Sequence, residues 1–76
     1  MKEGYREYYR RMGLNIAYFR KLRGFTQAEL AEEIGIDQTH LSKIEVASVG
    51  ISFDVLFALS KALDVPPGKL LGELIS

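Results

Sequence analysis

Apolar residues recur three or four positions apart along nearly the whole chain, and nowhere alternate with polar ones as a half-buried strand requires. Tyr5, Tyr8 or Tyr9, Met12, Ile16 and Phe19 form one continuous stripe, which predicts a first helix with residues 1–12 as its N-terminal extension. Gly13 lies in that stripe. Glycine weakens a helix interior by about 1 kcal/mol relative to alanine, so this position reads as the true start of the helix or as a kink. Gly24 ends the element at a place that favours a left-handed residue. Thr26 opens a second helix with Glu29 three residues on, a capping box, and Leu30, Ala31 and Ile34 form its buried face before Gly35 stops it. Asp37 caps a third helix whose inward residues are Leu41 and Ile44. Ser52 caps a fourth, with Val55, Leu56, Leu59, Ala62 and Leu63 facing in. Pro66 and Pro67 open a fifth, because proline is tolerated in a first helical turn. Its Leu70, Leu71, Leu74 and Ile75 exceed what capping one small core requires, so some of them are expected to meet a second subunit. The pattern is all-α: five short helices, in one domain covering residues 1–76.

Between Ile34 and Asp37 the chain must reverse over roughly three residues, and Gly35 supplies the positive φ that a β-carbon resists. Ala31 is small where two helices would cross, and Ile36 and Leu41 close the wedge. On a wheel of about 100° per residue, Leu41 and Ile44 set the inward direction of the third helix. Thr39, Ser42 and Lys43 point away from it, Gln38 stands to one side in the first turn, and His40 to the other. Two helices joined in this way are the minimal device for placing side chains in a DNA major groove. Glutamine pairs with adenine there, lysine with guanine, and the threonine methyl meets thymine. On pattern alone, that polar face is as well explained by simple solvation.

Composition narrows the choice. With 76 residues there is chain for one core only, and 47% hydrophobic content predicts a packed domain rather than disorder. Cysteine is absent, which removes thiolate metal sites, disulfides and cysteine nucleophiles and suits a reducing, cytoplasmic setting. No apolar run approaches the ~20 residues of a membrane span, and the basic, tyrosine-rich N-terminus lacks the apolar core of a signal peptide. Formal net charge is zero, yet it is unevenly spread: residues 1–23 carry seven cations against two acids, and residues 24–76 three against eight. A dipolar molecule of this kind can meet a polyanion with one face, more weakly than a uniformly basic one.

Three segments together carry a family resemblance: I-A-Y-F-R-K-L-R-G-F-T-Q-A-E-L-A (16–31), G-I-D-Q-T-H-L-S-K-I-E (35–45) and L-S-K-A-L-D-V (59–65). The chain resembles the phage repressor and Cro-like helix-turn-helix family of transcription regulators from Ile16 to about Leu71. The resemblance implies a compact five-helix, lambda-repressor-like domain that binds double-stranded operator DNA as a homodimer, its third helix in the major groove. It also implies roles. Gln38, Thr39 and Lys43 fall at base-reading positions with Ser42 beside them, while Gln27 falls at a phosphate-binding position. Arg20 and Glu45 match an ion pair tying the first helix to the end of the third. His40, on the flank, is better placed for phosphate than for bases. The family usually has glycine two residues past the glutamate, then basic residues and often proline. Here the stretch is V-A-S-V-G-I-S (46–52), so Ala47 replaces the glycine and Ser48 and backbone N–H groups are left to meet phosphate. Ile51–Ser52 in place of proline is similar to the restriction–modification controller branch.

Other chemistry is poorly supported. His40 has no second His or Cys with which to share a metal. Glu32 and Glu33 are adjacent and diverge on a helix, as do His40 and Ser42, so neither pair makes a catalytic set. No enzymatic activity, cofactor, metal or small-molecule ligand is expected. The segment Y-R-E-Y-Y-R-R (5–11) stays open between a solvated helical extension, a phosphate-contacting arm and a partner surface. The competing function is a protein-interaction module, antitoxin-like or phage-accessory, with weak or no DNA binding.

Overall fold

A computed structural model describes residues 2–72. After a single 3-10 turn at Glu3–Tyr5 come α1 (Arg6–Leu22), α2 (Gln27–Ile34), α3 (Gln38–Glu45), α4 (Phe53–Leu63) and α5 (Pro67–Leu71), with no strand among the described residues. Each helix contributes to one core. Met12, Ile16 and Phe19 come from α1, Leu30 and Ala31 from α2, and Leu41 and Ile44 from α3; Leu56, Leu59 and Leu63 of α4 and Leu70 of α5 complete it. Of the two tyrosines the stripe allowed, Tyr9 packs against the core and Tyr8 stays exposed. Leu74 and Ile75 lie outside the described residues.

The helix ends follow local chemistry. Thr26 Oγ1 accepts the Glu29 amide, and the Glu29 carboxylate accepts the Thr26 amide at 2.8 Å, both halves of the capping box. Ser52 Oγ accepts from the Val55 amide at 3.1 Å. Asp37 stands at the N-cap of α3 as expected, but its side chain makes no capping hydrogen bond. Four helices end in one closure: a left-handed residue at Gly24, Gly35, Ala47 or Asp64, followed by an amide that bonds the carbonyl five residues back. Ala47, at φ +61°, holds this conformation without being glycine and is buried. A left-handed helical residue with a β-carbon costs roughly 1–2 kcal/mol.

Two polar residues that periodicity did not single out fasten the helices together. Asn15 is buried on α1, and its Nδ2 donates to the Leu70 and Gly72 carbonyls at 3.2 and 3.3 Å, occupying orphan acceptors at the end of α5. Arg23 Nε donates to the Leu63 carbonyl at 2.8 Å and so closes the C-terminus of α4.

Gly13 marks neither a helix start nor a kink: α1 runs unbroken through it. Here α1 meets the last turn of α3. A β-carbon at Gly13 would lie 2.7 Å from the Ile44 carbonyl oxygen and nearer still to that of Glu45. The glycine therefore permits backbone contact between two helices. Gly13→Ala, which in an exposed helix would gain about 1 kcal/mol, should instead lose about 1–3 kcal/mol through overpacking. Urea denaturation of the two proteins measures the sign directly.

Candidate nucleic-acid interface

The turn between α2 and α3 is set by Gly35 at φ +78°, with the Ile36 amide bonded to the Ala31 carbonyl at 3.0 Å. Ala31 is buried at the crossing, and Leu41 and Ile44 anchor α3 from below. With those two held, the opposite face of α3 has only one direction to point. Gln38, Thr39, His40 and Lys43 are exposed and Ser42 is half-buried. Gln38, Thr39, Ser42 and Lys43 thus occupy one outward surface, with His40 at its edge. Val46, seven residues after Thr39, continues the same surface and is 70% exposed. The wheel could have found it, since seven residues bring a helix back almost to the same direction.

The height and tilt of that surface depend on the carboxylate of Glu45. Arg20 Nε donates to Glu45 Oε2 at 2.7 Å and an Arg20 terminal nitrogen to Oε1 at 3.2 Å, a bidentate pair whose side chains are 10% and 5% exposed. Arg20 also donates to the Phe25 carbonyl at 2.9 Å, in the joint between α1 and α2. Gln27 Nε2 donates to Glu45 Oε1 at 2.9 Å. One carboxylate therefore gathers the end of α1, the first turn of α2 and the end of α3. Gln27 is itself half-buried.

Ser48 is less free. Its amide and its hydroxyl both donate to the Lys43 carbonyl, at 2.9 and 3.3 Å, so a phosphate would have to displace the hydroxyl bond. The positive charge of the first 23 residues is also partly committed. Arg20 is neutralised inside the domain, and Arg6 and Arg11 lie within 3.6 and 3.7 Å of Glu3 and Glu7 at the surface. On α2, Glu32 and Glu33 are exposed. No group of histidine and acidic side chains among the described residues is arranged to hold a metal ion.

A small all-helical domain that buries one side of α3 and presents the other, across a glycine turn from α2, is a helix-turn-helix domain. The sequence matches the Helix-turn-helix family model HTH_3 over residues 16–70, and the chain belongs to that family. No curated protein matches it. Among solved structures it is similar to the restriction-modification controller protein C.AhdI from Aeromonas hydrophila: 26% identity, 82% of this chain and 94% of that one, TM-score 0.78. It is also similar to the hypothetical transcription factor NHTF from Neisseria, with 29% identity, 87% of this chain, 76% of that one and a TM-score of 0.83. The clp gene regulator ClgR from Corynebacterium glutamicum gives 27% identity, 83% and 67% coverage and a TM-score of 0.80. Family and fold together make this chain a DNA-binding transcription regulator. No helix among the described residues is long and apolar enough to cross a membrane.

Removing one partner of a buried ion pair leaves the other charge uncompensated, at a cost of about 3–5 kcal/mol. Glu45→Ala and Arg20→Ala should each destabilise the domain by that amount in chemical denaturation. The double variant should cost clearly less than the sum of the two.

Proposed function

We propose that this chain is a sequence-specific regulator that binds operator DNA as a homodimer, with two α3 helices in successive major grooves about 34 Å apart. The observation that carries the reading is the asymmetry of α3: Leu41 and Ile44 are sealed in the core, while Gln38, Thr39 and Lys43 stand in solvent on the opposite side. Gln38, in the first turn, suits adenine and Lys43 suits guanine. The methyl groups of Thr39 and Val46 suit thymine, and Ser42 adds a hydroxyl beside them. Gln27 and His40 flank this set as phosphate ligands. The regulator acts by occupancy, blocking or recruiting polymerase at its site. Its likeness to a restriction-modification controller protein supports a small regulator of this kind. The role proposed for this outward face is binding.

Selection of bound sequences from a random duplex pool tests the proposal. Gln38→Ala and Thr39→Ala should each lose about 1–3 kcal/mol of discrimination at particular base pairs. Gln27→Ala should weaken all sequences alike. If Gln38, Thr39 and Lys43 are all replaced and the selected sequence is unchanged, the assignment of the reading face is wrong.

The neutral net charge favours one second reading, a protein-interaction module. Salt dependence separates the two. Each phosphate neutralised contributes about −0.9 to the slope of log K against log salt. A regulator with few free cations near α3 should show a shallow but definite slope on duplex DNA. A flat response would favour a protein partner.

A further inference from the structure

The side of α1 that points away from the core carries an apolar pattern of its own. Met12, Ile16 and Phe19 are buried, and a wheel of about 100° per residue puts Leu14, Tyr18 and Leu22 on the opposite half of the helix. They are 43%, 45% and 58% exposed. At roughly 200 Å² for a large side chain, the three leave on the order of 300 Å² of apolar area in one strip. That is the scale of the largest apolar patch on a typical monomer, which is often functional. Singly scattered leucines would need no explanation, but these three are ordered. They lie four apart and form one ridge, inclined by about 26° to the helix axis. Arg10 and Lys21 stand along one edge of it, both exposed. The single acid of α1, Glu7, already lies 3.7 Å from Arg11. The ridge is therefore apolar with a cationic margin.

We infer that this ridge docks an amphipathic helix of a different protein, one with an apolar stripe and carboxylates beside it. Two observations choose that occupant. Ridges of residues four apart interdigitate in the commonest class of helix–helix packing, so the shape of the surface fits another helix. The cationic margin then calls for acids on the partner. A second copy presenting the same ridge would set Arg10 and Lys21 against cations, and like charges across an interface repel. A lipid surface is a poor match, because the main apolar face of α1 is spent on the core and cannot turn outward. Phosphate would use the two cations and leave Leu14, Tyr18 and Leu22 without a role. None of Gln38, Thr39, Ser42 or Lys43 belongs to the ridge, so the domain can hold such a partner while its outward α3 face is occupied. The inference goes beyond DNA reading and does not depend on it.

Titration of the isotope-labelled full chain with a designed peptide, followed by amide chemical shifts, tests the inference. The peptide is a helix of about 20 residues, long enough to form alone, with leucines four apart and glutamates on both sides. Saturable shifts should centre on Leu14, Tyr18, Lys21 and Leu22. Tyr18→Ser and Leu22→Ser should each raise the dissociation constant by about tenfold with unchanged helical circular dichroism. Lys21→Glu, at the surface, should weaken binding likewise, while Phe57→Ser on α4 should bind as the wild type does. Absence of a saturable shift on the ridge overturns the inference. So does equal binding by a peptide whose leucines are replaced by serine, which would reduce the contact to charge attraction. Shifts at the same amides on diluting the domain alone would assign the ridge to a second copy. Loss of affinity for random duplex DNA, or for phosphatidylserine vesicles, in Tyr18→Ser would assign it to phosphate or lipid. Each of these outcomes overturns it as well. None touches the DNA-reading proposal, which stands or falls on the base selection of the Gln38 and Thr39 variants.

Discussion

The placement of α3 relative to everything else depends on one carboxylate. α3 has eight residues and two large core anchors, which set its outward face but not its height or tilt. Glu45 at its end accepts two hydrogen bonds from Arg20 and one from Gln27, and Arg20 is itself tied to the Phe25 carbonyl. Three helices and one joint are thus held by groups with directional geometry, where apolar contacts alone would allow sliding. Beside this network, the glycine at position 13 lets α1 approach the same turn of α3 at backbone distance. Polar network and bare backbone act on one turn of helix. Together they decide where Gln38 and Thr39 are presented.

The same network joins stability to recognition. Gln27, at the start of α2, holds Glu45 at the end of α3, so the turn between the two helices is braced on the same carboxylate. Side chains already immobilised by the core have little conformational entropy left to lose when a domain binds a partner. The charge near the helix-turn-helix is sparse. Arg20, Arg6 and Arg11 are paired within the molecule, and both donors of Ser48 turn back onto α3.

Much of this was legible in the residues. The apolar spacing located all five helices, and the Thr26–Glu29 and Ser52 caps fixed two starts, because these signals are local and act within four residues. The outward face of α3 followed from Leu41 and Ile44 by helix geometry alone. What escaped were polar residues whose partners are distant in sequence. Asn15 looks solvent-facing by type, although its position between Met12 and Phe19 lies on the apolar stripe; its acceptors are 55 and 57 residues away. Arg23 reads as surface charge until α4 arrives beside it. Gly13 reads as a flaw in a helix, since the atoms that exclude a side chain belong to α3. The direction in which Ser48 turns its hydroxyl likewise could not be read from its neighbours.

The four left-handed closures have a consequence for how the molecule forms. At each, an amide reaches back five residues, so the end of a helix and its departure angle are settled by residues adjacent in the chain. The helices can then form with their ends defined before distant segments find one another. Helical domains dominated by such local contacts fold in roughly microseconds to milliseconds. A newly made chain of this kind would reach its working shape soon after it is complete.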